Sequence, residues 1–251
     1  MHDQSKKKPL LIIANWKMQL THTESTAFFA QYRSIYEELL VDSVVTLVIC
    51  PSFTVLPFVT TFPVGRLRWG AQNCSFELRG AYTGDISVLS LKELGISYVI
   101  IGHSEQRQYH KETDESVARK ADLLFFHSVH PIMCIGETEK EYRAGLTFIV
   151  LEKQLRFLRK LRAKNPEIVF IIAYEPVWAI GTGVMPVAEE LKKISIFITE
   201  YIGGERALIK ILYGGSVSLD SIALFSDVDL DGYLLGKPSI DGETLKKIIL
   251  L

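Results

Sequence analysis

Ile168-Val169-Phe170-Ile171-Ile172-Ala173-Tyr174-Glu175-Pro176 is the stretch that decides the fold. Its apolar run has no polar alternation, as in a parallel strand covered on both faces. Working outward, runs of the same kind stand at 10–15, 45–50, 67–72, 98–102, 132–136, 209–213 and 232–235, with this one read as a strand over 168–174. Amphipathic helical patterns lie between them, clearest at 138–164 and 186–202. The first carries Leu151, Leu155, Leu158 and Leu161 on one face, and Thr138 with Glu141 three residues on forms a capping box at its start. Eight strand–helix repeats in this length predict an α/β protein, a closed (β/α)8 barrel in a single domain over 10–251. Residues 1–9 read as a short polar N-terminal extension. An open dinucleotide-binding sheet would show a glycine-rich turn after the first strand, where this chain has Asn15-Trp16-Lys17.

Composition narrows the function classes. The chain has 251 residues, 48% of them hydrophobic, enough for a large core without disulfides or metals. A formal net charge of −1 gives no electrostatic reason for a nucleic-acid or membrane partner. The only basic cluster, Lys6 to Lys8, reads as a solvated tail, and no apolar run approaches a membrane span. Cys50, Cys74 and Cys134 are an odd number without metal-type spacing, so buried reduced thiols and a cytoplasmic location are expected.

Barrel enzymes place their chemistry at the carboxyl ends of the strands. Asn15 and Lys17 stand there after strand 1, His103 and Glu105 after strand 4, and Glu175 after strand 6. Gly214-Gly215-Ser216 follows strand 7 and Gly236 follows strand 8. Those glycines make either tight turns or an anion cradle of backbone N–H groups, and Gly181-Thr182-Gly183 after strand 6 adds weight to the cradle. Glu175, partly desolvated, is either a base or one half of a structural ion pair. His103 opens a short helix, whose positive end favours neutral imidazole, a hydrogen-bond donor for a developing enolate oxygen. His2, His22, His110, His127 and His130 lack such a position and read as packing residues. Lys17, next to Trp16 at the end of a buried strand, offers a fixed positive charge.

Six segments carry a resemblance: Ala14 to Met18, Ala71 to Asn73, Tyr98 to Glu105, Cys134 to Thr138, Ala173 to Gly183 and Tyr213 to Val217. In this order and spacing the chain resembles the triosephosphate isomerase family along essentially its whole length. The resemblance implies a TIM barrel and an aldose–ketose isomerase that interconverts dihydroxyacetone phosphate and D-glyceraldehyde 3-phosphate through an enediolate. It implies Glu175 as the base, neutral His103 as the electrophile, Lys17 and Asn15 at the substrate, and Glu105 in support. Backbone N–H groups of Gly181, Ser216, Gly236 and Lys237 would bind the phosphate. No metal and no organic cofactor are implied. The segment 176–186 would be a lid, the loop from Cys74 to Asp85 would join two copies into a homodimer, and Thr83 would reach the partner's active site.

The chain departs from its family's pattern at three places. Pro186 stands where many relatives have alanine, whose N–H bonds a tyrosine matching Tyr213 as the lid shuts; proline has no N–H to give. Closure is therefore expected to lean on contacts such as Ser216 with the Gly183 region. Lys237 stands where a second glycine is common, and Gln106 where arginine is common. Two rivals remain at this point: a barrel enzyme for a larger sugar phosphate, which would not need Glu175 and His103 under a lid, and a non-catalytic barrel, which would have lost Lys17, His103 or Glu175.

Overall fold

A computed structural model describes residues 8–41, 43–61 and 67–250. Strands β1 (Leu10–Asn15), β2 (Val45–Cys50), β3 (Leu67–Ala71), β4 (Tyr98–Ile101), β5 (His130–Ile135), β6 (Phe170–Tyr174), β7 (Ile209–Tyr213) and β8 (Gly232–Leu235) form a closed parallel barrel in sequence order. The ring is sealed by β1 against β8, with Ile12 opposite Tyr233 and Ile13 opposite Leu234. The helices are α1 (His22–Val41), α2 (Leu56–Val59), α3 (Val88–Glu93), α4 (Ser104–His110), α5 (Asp114–Phe126), α6 (Glu139–Arg143), α7 (Thr147–Lys164), α8 (Ala188–Ile202), α9 (Leu219–Leu224) and α10 (Gly242–Ile249).

The unbroken apolar runs have a direct cause. Because side chains alternate along a strand, Ile13, Val48, Ile100, Ile132, Ile171, Leu212 and Leu234 fill the barrel, while Ile12, Leu47, Ile172 and Ile211 pack outward with the helices. Both faces are dry, so both must be apolar, and each such side chain contributes roughly 1.5–3 kcal/mol. The alternation also delivers chemistry: Asn15 shares the inward parity of Ile13, and Glu175 that of Ile171 and Ala173.

Several expected boundaries shift. The helix expected over 138–164 is two helices, α6 and α7, because Gly145 between them takes a φ of 69° that ends the first. The Thr138–Glu141 capping box is present at the start of α6. The helix expected from 186 begins at Ala188, with Val187 as an extended N-cap and Pro186 left in the preceding loop. Strand β5 starts at His130, two residues early, since proline is tolerated near a strand's beginning and Pro131 pairs with Val99. Strands β3 and β4 end one residue early, the latter because Gly102 turns at a φ of 71°. Strand β6 starts two residues later than expected, at Phe170.

Most of the expected extension, residues 1–7 with His2, Lys6 and Lys7, lies outside the described residues. Lys8 bonds Asp229 and the Leu230 carbonyl below β8. Cys50, Cys74 and Cys134 are buried free thiols, as expected.

Candidate active site

One chain of contacts links the polar residues at the carboxyl ends of β1, β4 and β6. Asn15, 5% exposed, accepts the Lys17 N–H on its Oδ1 at 3.1 Å. Lys17 Nζ meets Glu105 Oε1 at 2.6 Å. The Glu105 N–H donates to His103 Nδ1 at 3.2 Å, and His103 Nε2 lies 3.1 Å from Glu175 Oε1. The five residues expected to carry chemistry on strands 1, 4 and 6 are thus brought together.

Glu175 is held from several sides. Its other oxygen, Oε2, accepts the Ser104 N–H at 3.3 Å, and its own N–H donates to the Ile135 carbonyl at 2.7 Å. Gly136 and Gly214 leave room for it. A Cβ on Gly136 would stand 1.9 Å from the Glu175 carbonyl oxygen, and one on Gly214 would stand 2.9 Å from Glu175 Cγ. Burial pushes the Glu175 carboxyl up, but the adjacent His103, with the Ser104 N–H and Lys17, outweighs burial and holds it below the usual value. It is therefore an ionised carboxylate at neutral pH.

His103 is the N-cap of α4, its ring nitrogen standing in for a hydroxyl or carboxylate cap. Since Nδ1 accepts a hydrogen bond, the ring proton sits on Nε2, the atom facing Glu175. Burial is the largest single influence and presses this imidazole towards the neutral form, but the charge and hydrogen bond of Glu175 together with Glu105 outweigh it, so its pKa lies above the ordinary value here. Burial and Lys17 favour the neutral imidazole, and Glu175 and Glu105 oppose them.

Lys17 adopts a left-handed φ of 52°, uncommon for a residue with a side chain. Gln72 over-determines it by donating from Nε2 to the Lys17 carbonyl at 2.7 Å and the Cys50 carbonyl at 3.0 Å. A Cβ on Gly236 would lie 4.0 Å from Lys17 Nζ, so the strand 8 turn backs directly onto this lysine.

The segment after β6 is tied at both ends. At its start, Trp178 Nε1 donates to Glu137 Oε1 at 2.9 Å, Tyr174 donates to the same carboxylate, and Tyr142 stacks on Trp178 at 4.2 Å. Further along, the Gly183 N–H donates to Ser216 Oγ at 3.1 Å, and Ser216 donates to the Ala179 carbonyl. This Ser216–Gly183 contact is the one expected to hold the segment. The Tyr213 hydroxyl is buried without a hydrogen-bond partner among the described residues, and Pro186, itself buried, has no N–H to supply one. Of the expected phosphate groups, Gly181 and Lys237 are exposed, and Ser216 and Gly236 are half-buried on adjoining turns.

Gln72, Ser104 and Glu137 carry no local signal of a role, although all three lie in the segments that carry the resemblance. A fully buried glutamate such as Glu137 has no signature of its own in a sequence. Its partners, Tyr174 and Trp178, read as packing until the fold supplies the carboxylate between them.

A closed β/α barrel with a buried carboxylate against an imidazole, and a lysine beside them at the carboxyl ends of the strands, is the build of a barrel protein equipped for proton transfer. Comparison with known proteins makes this specific. The family model described as triosephosphate isomerase matches residues 10–251. The chain is 38% identical over 250 residues to triosephosphate isomerase of Endomicrobium trichonymphae, covering 97% of this chain and 98% of that protein. It is 39% identical to the triosephosphate isomerases of Caldanaerobacter subterraneus subsp. tengcongensis, with 95% and 98% covered, and Clostridium tetani, with 95% of each covered. The chain belongs to the triosephosphate isomerase family.

Proposed function

We propose that the protein is a cofactor-independent triosephosphate isomerase acting through the contact between Glu175 and His103 at 3.1 Å. A carboxylate base beside a neutral imidazole, under a closing loop, is the arrangement for which this family is known. The observation that carries the reading is that β4 and β6, non-adjacent strands, deliver these two groups to one point beside Lys17.

In this reading the Glu175 carboxylate takes the pro-enediolate proton from C1 of dihydroxyacetone phosphate. His103 Nε2–H donates to the carbonyl oxygen on C2, where negative charge develops, and Lys17 adds positive charge there. The hydroxyl proton passes from the C1 oxygen to the C2 oxygen with His103 Nε2 between them, and returning the carbon proton from Glu175 to C2 gives glyceraldehyde 3-phosphate, with no net change in atoms or electrons. Asn15 and Glu105 position Lys17 through the hydrogen bond and ion pair described above. Backbone N–H groups of Gly181, Ser216, Gly236 and Lys237 hold the phosphate, and the 176–186 segment excludes water as it shuts.

The same reading makes the protein a homodimer. Met18 is 96% exposed and Tyr82 48% exposed, both large apolar side chains left uncovered in the single chain. A cavity of about 480 Å³, lined by Phe53, Cys74, Phe76, Gln106 and Lys120 among others, opens beside the 74–85 loop and suits a loop from a second copy. Ser75 closes the stem of that loop, its N–H on the Ile86 carbonyl and its hydroxyl on Asp85. Among the described residues no helix is long and apolar enough to cross a membrane, and three buried thiols fit the reducing cytoplasm we assign.

The test is a coupled assay of glyceraldehyde 3-phosphate isomerisation on wild type and Glu175→Asp. Withdrawing the carboxylate by about 1 Å should lower kcat about 100-fold with the fold intact. Equal turnover in the variant, or none in folded wild type, would remove Glu175 from the role.

A further inference from the structure

Lys237 opens the turn after β8, one residue beyond Gly236, and its side chain is exposed. It makes no ion pair among the described residues, whereas Lys17 is committed to Glu105 and Arg107, at the ends of β4 and β5, to Asp114. In the contact chain itself Lys17, Glu105 and Glu175 sum to one negative charge before substrate arrives, and the pairs behind it, Arg107 with Asp114 and Lys120 with Glu112, cancel within themselves. A dianionic phosphate approaching that set meets net repulsion. Lys237 brings the sum to zero without joining the network that holds Lys17.

We propose that the Lys237 ammonium is a specificity-determining charge that draws the phosphate dianion to the strand 8 turn. The inference deepens the isomerase reading above and rests on its phosphate site. The lysine stem reaches about 6 Å and its Cα is about 3.8 Å from that of Gly236, so an extended stem turned towards the turn brings the charge to within about one Debye length of a phosphate over Gly236 at physiological salt. One positive and two negative charges at about 8 Å in water give about a fivefold effect at low salt, screened to about twofold near 0.15 M. The backbone N–H of Lys237 serves the same phosphate, but any residue except proline supplies an N–H; only lysine or arginine supplies the fixed charge.

The decisive variants are Lys237→Met, which keeps the stem and removes the charge, and Lys237→Arg, which restores the charge. Two quantities are read at about 0.01 M and about 0.15 M ionic strength: kcat/KM for glyceraldehyde 3-phosphate, and the dissociation constant of inorganic phosphate by calorimetry. Lys237→Met should lower kcat/KM and weaken phosphate about fivefold at the lower salt and about twofold at the higher, with kcat within twofold. Lys237→Arg should recover both. Unchanged values at low salt would overturn the proposal, as would a loss that salt leaves untouched or that arginine fails to rescue, since either marks a role in shaping the turn. Should wild type prove unable to isomerise triose phosphates, the reading of the reaction fails, while the calorimetric arm still decides the role of Lys237.

Discussion

Gly214→Ala isolates one contact in the site. Gly214 is not among the glycines with left-handed φ, so alanine meets no backbone strain there. The new methyl would lie 2.9 Å from Glu175 Cγ and 3.4 Å from both Cβ and Cδ2 of Leu234. Carbon contacts are comfortable at about 3.5–4.0 Å, so Glu175 must retreat by roughly 0.6–1 Å. Leu234 is locked in the barrel interior and 3% exposed, which leaves the carboxylate side chain to give way. A displacement of about 1 Å in a reacting group costs about 100-fold in rate, which is about 2.7 kcal/mol of barrier. Overpacking should cost about 1–3 kcal/mol of stability, with Tm falling about 2–4 °C for each. The assay is steady-state isomerisation in both directions with thermal unfolding on the same sample. A folded variant whose kcat stays within about threefold of wild type would mean that the position of the Glu175 carboxylate does not set the rate.

Other outcomes follow from individual contacts. Pro186→Ala restores the N–H that the family resemblance pairs with Tyr213, whose hydroxyl is buried without a partner among the described residues, and should change both turnover and lid kinetics, read by steady-state assay and relaxation-dispersion NMR; no change in either would dismiss the missing latch as a cause. Glu175 has a carboxyl depressed on folding, so its ionisation contributes stability above the ordinary value of 4.5 that is lost as pH falls through the folded value. The unfolding free energy of wild type relative to Glu175→Gln should therefore decline as pH falls below 4.5, and a flat difference would contradict the shift. Lys120→Met would strand the buried Glu112 carboxylate, which also accepts the Gly102 N–H one residue before His103. Breaking such a pair costs about 3–5 kcal/mol, measured by denaturant unfolding at fixed protein concentration, and adding Glu112→Leu should recover only part of it, because the Gly102 N–H then loses its acceptor at about 1–3 kcal/mol.

Much of this protein is legible residue by residue. Doubly buried strands must be apolar on both faces, so β1, β2, β7 and β8 stand out with their observed ends. The Thr138–Glu141 capping box and the inward parity of Asn15 and Glu175 are local consequences of chain geometry. The break between α6 and α7 was also local: Ala144-Gly145 carries the signal, but the leucine periodicity of α7 masks it.

The tertiary structure decided what depends on two segments meeting. Closure of β8 on β1 places the Gly236 turn against Lys17, 219 positions apart in the chain by their numbers. Glu175 is set at His103 by separate strands, and only that proximity turns two titratable side chains into a coupled pair, with the carboxyl lowered and the imidazole raised. Gln72 shows its part only once β3 lies beside β2 and its amide can hold the left-handed Lys17. Periodicity and caps arise from neighbours within one turn or one strand, and the sequence displays those directly. Distances between strands, and the fields they create, exist only after the barrel has closed.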